Sequence, residues 1–152
     1  MQNKLTIISG GISKDERGTL QYVNDEQPGN YRRFYIITHP DTNIVRAWQG
    51  HKIEEKCFFV VKGSFMISVV QPSNFENPSL LEKVDFFPMK EEDNLFLKVP
   101  GGCYTGIKAF VPNSVLMVLS DATLENSKKD DFRLPPNTWI DWQTLKQHPK
   151  NH

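Results

Sequence analysis

Hydrophobic positions along this chain come in short runs broken by turn residues. Residues 30–38 (NYRRFYIIT) read as a strand that stops at the turn cluster His39-Pro40-Asp41-Thr42-Asn43, and residues 44–49 read as the next. Residues 56–63 (KCFFVVKG) are nearly all apolar and end at Gly63, the pattern of a strand buried on both faces. Residues 64–70 (SFMISVV) alternate, with Phe65, Ile67 and Val69 on one side. Residues 94–99 (NLFLKV) also alternate and stop at Pro100-Gly101-Gly102. Residues 106–110 and 115–119 are expected to form a hairpin around Val111-Pro112-Asn113-Ser114. The irregular stretch 71–87 reads as an excursion between strands. From about 121 to 152 the chain is a polar tail, in which Trp139, Ile140 and Trp142 are expected to pack on the body and residues 142–147 to form a short helix. The even spacing of the runs, punctuated by 10 Pro and 9 Gly, predicts an all-β sandwich or barrel in a single domain, residues 1–152.

Composition narrows the function classes. Lys+Arg and Asp+Glu number 18 each, so no basic excess supports a nucleic-acid footprint. No apolar run approaches the roughly 18 residues of a membrane span, and the first residues lack a signal peptide's apolar core. Two cysteines, Cys57 and Cys103, fit a reducing, cytoplasmic setting better than a disulfide scaffold. There is no CxxC, no Walker loop and no GxGxxG, hence no cradle for free ATP or NAD.

Two segments carry candidate chemistry. In the first, residues 46–56 (RAWQGHKIEEK), an extended backbone puts Ala47, Gln49 and His51 on one face. Arg46, Trp48 and Gly50 then take the other, unless a bulge intervenes. The charged run Lys52, Glu54, Glu55 and Lys56 reads as a solvated loop, from which Lys56, opening an apolar strand, is retained as a candidate. The second segment is residues 97–106 (LKVPGGCYTG): a strand, a Pro-Gly turn and a return strand. Asp15-Glu16-Arg17-Gly18 is by default a β-turn with Gly supplying positive φ.

These segments resemble the two motifs of a cupin, which implies a jelly roll with a pocket in its mouth. The general pattern has His-x-His, a Glu and a Gly, then Pro-x-Gly-x-x-His. Here the first motif reads Gln49-Gly50-His51 with Glu54, Glu55 and Gly63; the second reads Pro100 to Thr105. Gln49 and Thr105 replace two of three expected histidines, and a transition-metal site needs three or more strong ligands. A metal-free pocket is therefore expected. Residues 33–52 (RFYIITHPDTNIVRAWQGHK), Asp15 to Gly18 and the ending FRLPPNTWIDW resemble the nucleotide-sugar cupins: dTDP-4-keto-6-deoxyhexose 3,4-ketoisomerases and dTDP-4-dehydrorhamnose 3,5-epimerases.

The resemblance implies a homodimer acting on a dTDP-linked 4-keto-6-deoxyhexose in surface-polysaccharide biosynthesis, with no cofactor. A proton leaves the carbon next to the ketone and returns to its neighbour. His51 is the acid/base candidate, with an ordinary pKa near 6.5. Tyr35 or Tyr104 would donate a proton or orient the keto oxygen, and Gln49 would hydrogen-bond it. Arg46, Arg17, Arg33 and Lys56 are the cations for the diphosphate, and Trp48 or Tyr22 the platform for the base ring. The epimerase reading is disfavoured because Gln49 stands where that family has a base histidine, and its acid tyrosine falls near Val118. The alternative from another class is a non-catalytic nucleotide-sugar or carbohydrate-binding cupin.

Overall fold

In the computed structural model, residues 4–24 and 30–145 are described. Two five-stranded antiparallel sheets face each other. The first runs in the order β1 (Thr6–Ser9), β9 (Leu95–Val99), β6 (Lys56–Lys62), β11 (Ser114–Ser120) and β4 (Arg33–His39). The second runs β12 (Phe132–Arg133), β5 (Val45–His51), β10 (Cys103–Ala109), β7 (Ser64–Val70) and β8 (Asp85–Lys90). A separate hairpin pairs β2 (Gly11–Asp15) with β3 (Gly18–Tyr22), and one short helix, α1 (Leu124–Lys129), links β11 to β12. This is the all-β, cupin-type jelly roll expected from the sequence.

The expected hairpin over residues 106–119 does not form. β10 and β11 lie in different sheets, so Val111 to Ser114 is a crossover between layers. Gly63 makes the equivalent step from β6 to β7. Its φ is +79°, and a Cβ there would sit 2.1 Å from Ser114 Oγ. Strand β8 and helix α1, absent from the sequence expectation, arise within the excursion and the tail. The expected short helix is present as a single 3-10 turn over Trp142–Thr144; positions 146 and 147 lie outside the described residues.

Alternation sends every second side chain into the space between the sheets. Phe58, Val60, Leu97, Leu116 and Val118 from the first sheet meet Phe65, Ile67, Val69, Ile107 and Ala109 from the second. The outer faces differ. That of the second sheet is covered by its own chain: Trp48, Val70 and Tyr104 pack under Phe75 and Trp142, with Trp139, Ile140 and Leu134 around them. On the first sheet, Ile36, Met117, Phe59 and Phe96 stand in one row across β4, β11, β6 and β9, and among the described residues Ile36 is left 57% exposed. Strand β6 is thus buried on one face, while Phe59 is half-buried and Val61 exposed, so the expectation of burial on both faces is not met within one chain.

The C-terminal segment is a structural strap. Trp142 is buried and its Nε1 donates to the Pro136 carbonyl at 2.7 Å. Gly106 makes room for it, since a Cβ there would lie 2.5 Å from the indole. Trp142→Ala should therefore cost about 3–5 kcal/mol in urea unfolding, and Gly106→Ala should destabilise as well because it displaces the same ring.

Candidate active site

A cavity of about 700 Å³ opens between the sheets at one end of the sandwich. That volume suits a small-molecule ligand. Its walls come from β4, β5, β6 and β10, and its rim from α1 and β12.

Side-chain alternation explains most of the lining. On β4, Arg33 and Tyr35 point inward, and Tyr35 pairs in register with Val118 of β11. On β10, Thr105 and Ile107 face the cavity while Tyr104 faces away. On β5 a bulge changes the phase. Gln49 pairs with Thr105 and Arg46 with Ile107, so the interval on β5 is one residue longer. Ala47 and Gln49 line the cavity as expected, and Arg46 joins them instead of pointing away. Among the described residues Arg46 has no ion-pair partner, which leaves its guanidinium available to an anion.

Lys56 opens β6 at the cavity floor. Its Nζ donates to Gln49 Oε1 at 3.1 Å and lies 3.7 Å from Glu54 Oε2. Burial, with Arg33 and Arg133 nearby, holds this ammonium down at about 8 against the opposing pull of Glu54. Burial and the Glu54 charge push the Tyr35 phenol up to about 12, so it stays protonated at neutral pH.

Glu54 is no part of a solvated loop, contrary to the sequence expectation. Its side chain is 1% exposed, with Arg33 Nη2 at 3.2 Å and His51 Nε2 at 3.5 Å. His51 does not line the cavity. Its Nδ1 lies 2.5 Å from the Asp130 carbonyl oxygen, an acceptor only, so Nδ1 carries the proton. Burial and then Lys56 depress its pKa, outweighing Glu54. The neutral ring turns the bare Nε2 towards Glu54, where both Nε2 and Glu54 Oε2 lack a hydrogen-bond partner.

The other sequence candidates separate. Trp48 is fully buried on the far side of β5, its Nε1 donating to Pro136 O at 3.0 Å, and offers no platform to a ligand. Tyr104 stacks on Phe75 at 4.8 Å and donates to the Phe75 carbonyl, also away from the cavity. Arg17 pairs with Asp15 at 2.6 Å in the exposed hairpin turn and does not reach the cavity of its own chain. Tyr22 is exposed on β3 and is likewise outside the cavity lining.

Sequence reading missed the segment after β11. Arg133 pairs with Gln49 in register and enters the cavity wall beside Asp131, to which its Nε donates at 2.8 Å. Asp130 holds the turn after β5. Its carboxylate accepts from the backbone N–H groups of Lys52, Ile53 and Glu54 at 2.7–2.8 Å. Nothing in the local sequence marks Asp130, and Arg133, though within the ending FRLPPNTWIDW, carries no signal of a place in the site, because the partners of both lie on a distant strand and its turn.

The general cupin pattern implies a metal, and these residues do not fit one. Gln49 and Thr105 supply neutral oxygens where imidazoles are expected. Among the described residues no group of three His, Cys, Asp or Glu side chains is arranged to hold a metal ion.

Fold and cavity together define a cupin with a cation-rimmed pocket between its sheets. The chain belongs to the FdtA family, described as WxcM-like, C-terminal, whose model matches residues 3–133. It is 25% identical over 131 residues to a probable low-salt glycan biosynthesis epimerase, Agl13, of Haloferax volcanii, covering 82% of this chain and 81% of that one. It has the fold of the 3,4-ketoisomerase QdtA of Thermoanaerobacterium thermosaccharolyticum, solved as a point variant with TDP-4-keto-6-deoxyglucose: TM-score 0.69, 20% identity, 88% of this chain and 90% of that one. It shares that fold too with a dTDP-4-dehydrorhamnose 3,5-epimerase of Bacillus anthracis solved with TDP and PPi: TM-score 0.71, 15% identity, 88% and 79% covered. Among the described residues no helix is long and apolar enough to cross a membrane.

Asp130→Ala leaves three backbone N–H groups without their carboxylate. It should cost about 3 kcal/mol in urea unfolding, since hydrogen bonds to a charged acceptor are worth about 1.5–3 kcal/mol each and water recovers part of the loss.

Proposed function

We propose that this protein is a nucleotide-sugar isomerase of glycan biosynthesis that moves a proton next to the ketone of a dTDP-linked 4-keto-6-deoxyhexose. One observation carries the reading: a phenol held protonated, Tyr35, shares a cavity with the guanidinium groups of Arg33, Arg46 and Arg133. The arginines suit a diphosphate because their planar forks match its oxygens. Tyr35 suits a developing enolate oxygen because it can donate without first being deprotonated at neutral pH. The family match and the ligands named for the relatives agree with this substrate class.

Within that class, movement of the carbonyl from C-4 to C-3 is favoured over 3,5-epimerisation. Epimerisation needs a second acid on the late strand, where this chain has Val118, and a base where it has Gln49. The amide at 49 also favours a second reading, a nucleotide-sugar-binding cupin without turnover.

The protein acts as a homodimer in this proposal. The uncovered row on the first sheet and exposed Phe34, 65% accessible, form an apolar face that a second copy would bury.

Proton NMR of dTDP-4-keto-6-deoxyglucose with this protein in D₂O tests the reaction. Deuterium at C-3 with the carbonyl moved to C-3 is the expected result. Exchange at both C-3 and C-5 would restore the epimerase, and binding without exchange would leave the binding module. Light scattering should give twice the chain mass for the wild type and a monomer for Ile36→Lys.

A further inference from the structure

We infer that Lys56, positioned by Gln49 and Glu54, is the base that removes and returns the sugar proton. This assignment rests on the isomerase reading above and deepens it.

The cavity needs a proton acceptor, and three of its candidates fail. Gln49 is a primary amide, far too weak a base to take a carbon-bound proton near neutral pH. His51, 4% exposed, is committed to Asp130 at Nδ1 and faces Glu54 at Nε2, outside the lining. Asp131 lines the cavity, but its carboxylate is held low, above all by hydrogen bonding to Arg133.

Lys56 has the required geometry. A neutral amine carries two hydrogens and one lone pair. Gln49 Oε1, at 3.1 Å, accepts one hydrogen, and Glu54 Oε2, 3.7 Å away and beyond hydrogen-bond reach, attracts the positive side of the same nitrogen. The lone pair is then left for the cavity that Lys56 lines. Gln49 is itself oriented, its Nε2 donating to Asp131 Oδ1 at 3.3 Å. This is what an amide adds over an imidazole at that position: an acceptor that cannot take the lysine's proton. The groups facing Nζ are Glu54 and His51 from β5 and its turn, Arg33 and Tyr35 from β4, and Asp131 and Arg133 from the β12 segment. Burial and the two arginines place the amine's midpoint at about 8, within the range useful to a base at physiological pH.

The step balances without a co-reactant. The C-3–H bond breaks and its proton goes to Nζ. The electron pair forms the C-3=C-4 bond, and O-4 takes the Tyr35 proton. The tyrosinate then removes the proton from the C-3 hydroxyl, the carbonyl forms at C-3, and Nζ returns its proton to C-4. One base serves both carbons, so the transfer is suprafacial.

The test measures deuterium entry into dTDP-4-keto-6-deoxyglucose for the wild type, Lys56→Arg, Lys56→Ala and His51→Gln, with TDP titrated into each as a check on folding and binding. Lys56→Arg keeps the positive charge but cannot be deprotonated. It should lose exchange by about 100-fold or more, and Lys56→Ala should recover exchange when small primary amines are added. Wild-type exchange should rise with pH through about 8, because the amine is a base only when neutral. His51→Gln should retain exchange within about tenfold. Exchange that survives Lys56→Arg, or that vanishes in His51→Gln while TDP still binds, overturns the assignment of the base and leaves the isomerase reading standing. Absence of exchange in the wild type while TDP binds overturns both.

Discussion

The carboxylate of Glu54 is the constraint around which the functional end of the sandwich is organised. Taking a carboxylate out of water costs several kcal/mol unless cations and hydrogen bonds replace the solvent. At 1% side-chain exposure Glu54 has no water to fall back on. Its compensation comes from Arg33 on β4 and Lys56 on β6, with the His51 ring of β5 beside it. β4 and β6 belong to one sheet and β5, which leads into Glu54, to the other, so one buried charge links the layers at the end where the cavity opens. Removing either partner would leave an uncompensated charge in the core, which is why the arrangement specifies a geometry even though a buried pair adds little net stability.

A second constraint acts on the same strand. The bulge between Arg46 and Gln49 lets β5 present two consecutive residues, Arg46 and Ala47, to the cavity while Trp48 turns away into the strap. Without the phase change, Arg46 would share a face with Trp48 and be covered by the C-terminal segment. The strap and the site are thus two consequences of one irregularity: the outward indole anchors residues 134–145, and the inward guanidinium is left free of that packing. The segment between β11 and the strap completes the site from the other side, with Asp130 fixing the turn that carries Glu54 and Arg133 closing the wall.

What the sequence disclosed and what it withheld follow one physical line. Strands 33–39, 45–51, 56–62, 64–70 and 95–99 are visible because apolar alternation is a local signal. Arg33, Tyr35 and Gln49 lie in the segment that carries the family resemblance and Lys56 opens an apolar strand, so all four are legible as candidates, and side-chain alternation brings them to the cavity. The failures are all non-local. A crossover between sheets and a hairpin have the same turn residues, so 106–119 reads wrongly although both strands exist. Tyr104 and Trp48 are aromatic neighbours of motif residues, and only the register and the bulge decide that they face the strap. Glu54 looks like one more charge in a run of four until Asp130, 76 positions later, folds back over its backbone. The Asp15 to Gly18 turn is read correctly, yet its Arg17 pairs with Asp15 and lies clear of its own chain's cavity.

Gln49, standing where the family resemblance implies a histidine, changes the acid–base character of its neighbours without emptying the site of it. An imidazole there would present both a donor and an acceptor to Lys56 and would compete for the same proton. An amide presents its carbonyl to Nζ and its N–H to Asp131, and it titrates with neither. Between a phenol held up at about 12 and a carboxylate held down by Arg133, the amine near 8 is the group whose two protonation states are both populated close to neutrality. In the proposed reaction Tyr35 rests protonated, lends its proton to O-4 and recovers one from O-3, Asp131 stays charged and orients Gln49, and Lys56 carries the carbon-bound proton. That role also explains why Glu54 has to be buried as a charge. In that proposal the carboxylate would stabilise the ammonium formed when Lys56 accepts a proton, and Arg33 and Arg133 would keep that stabilisation from holding the proton too tightly.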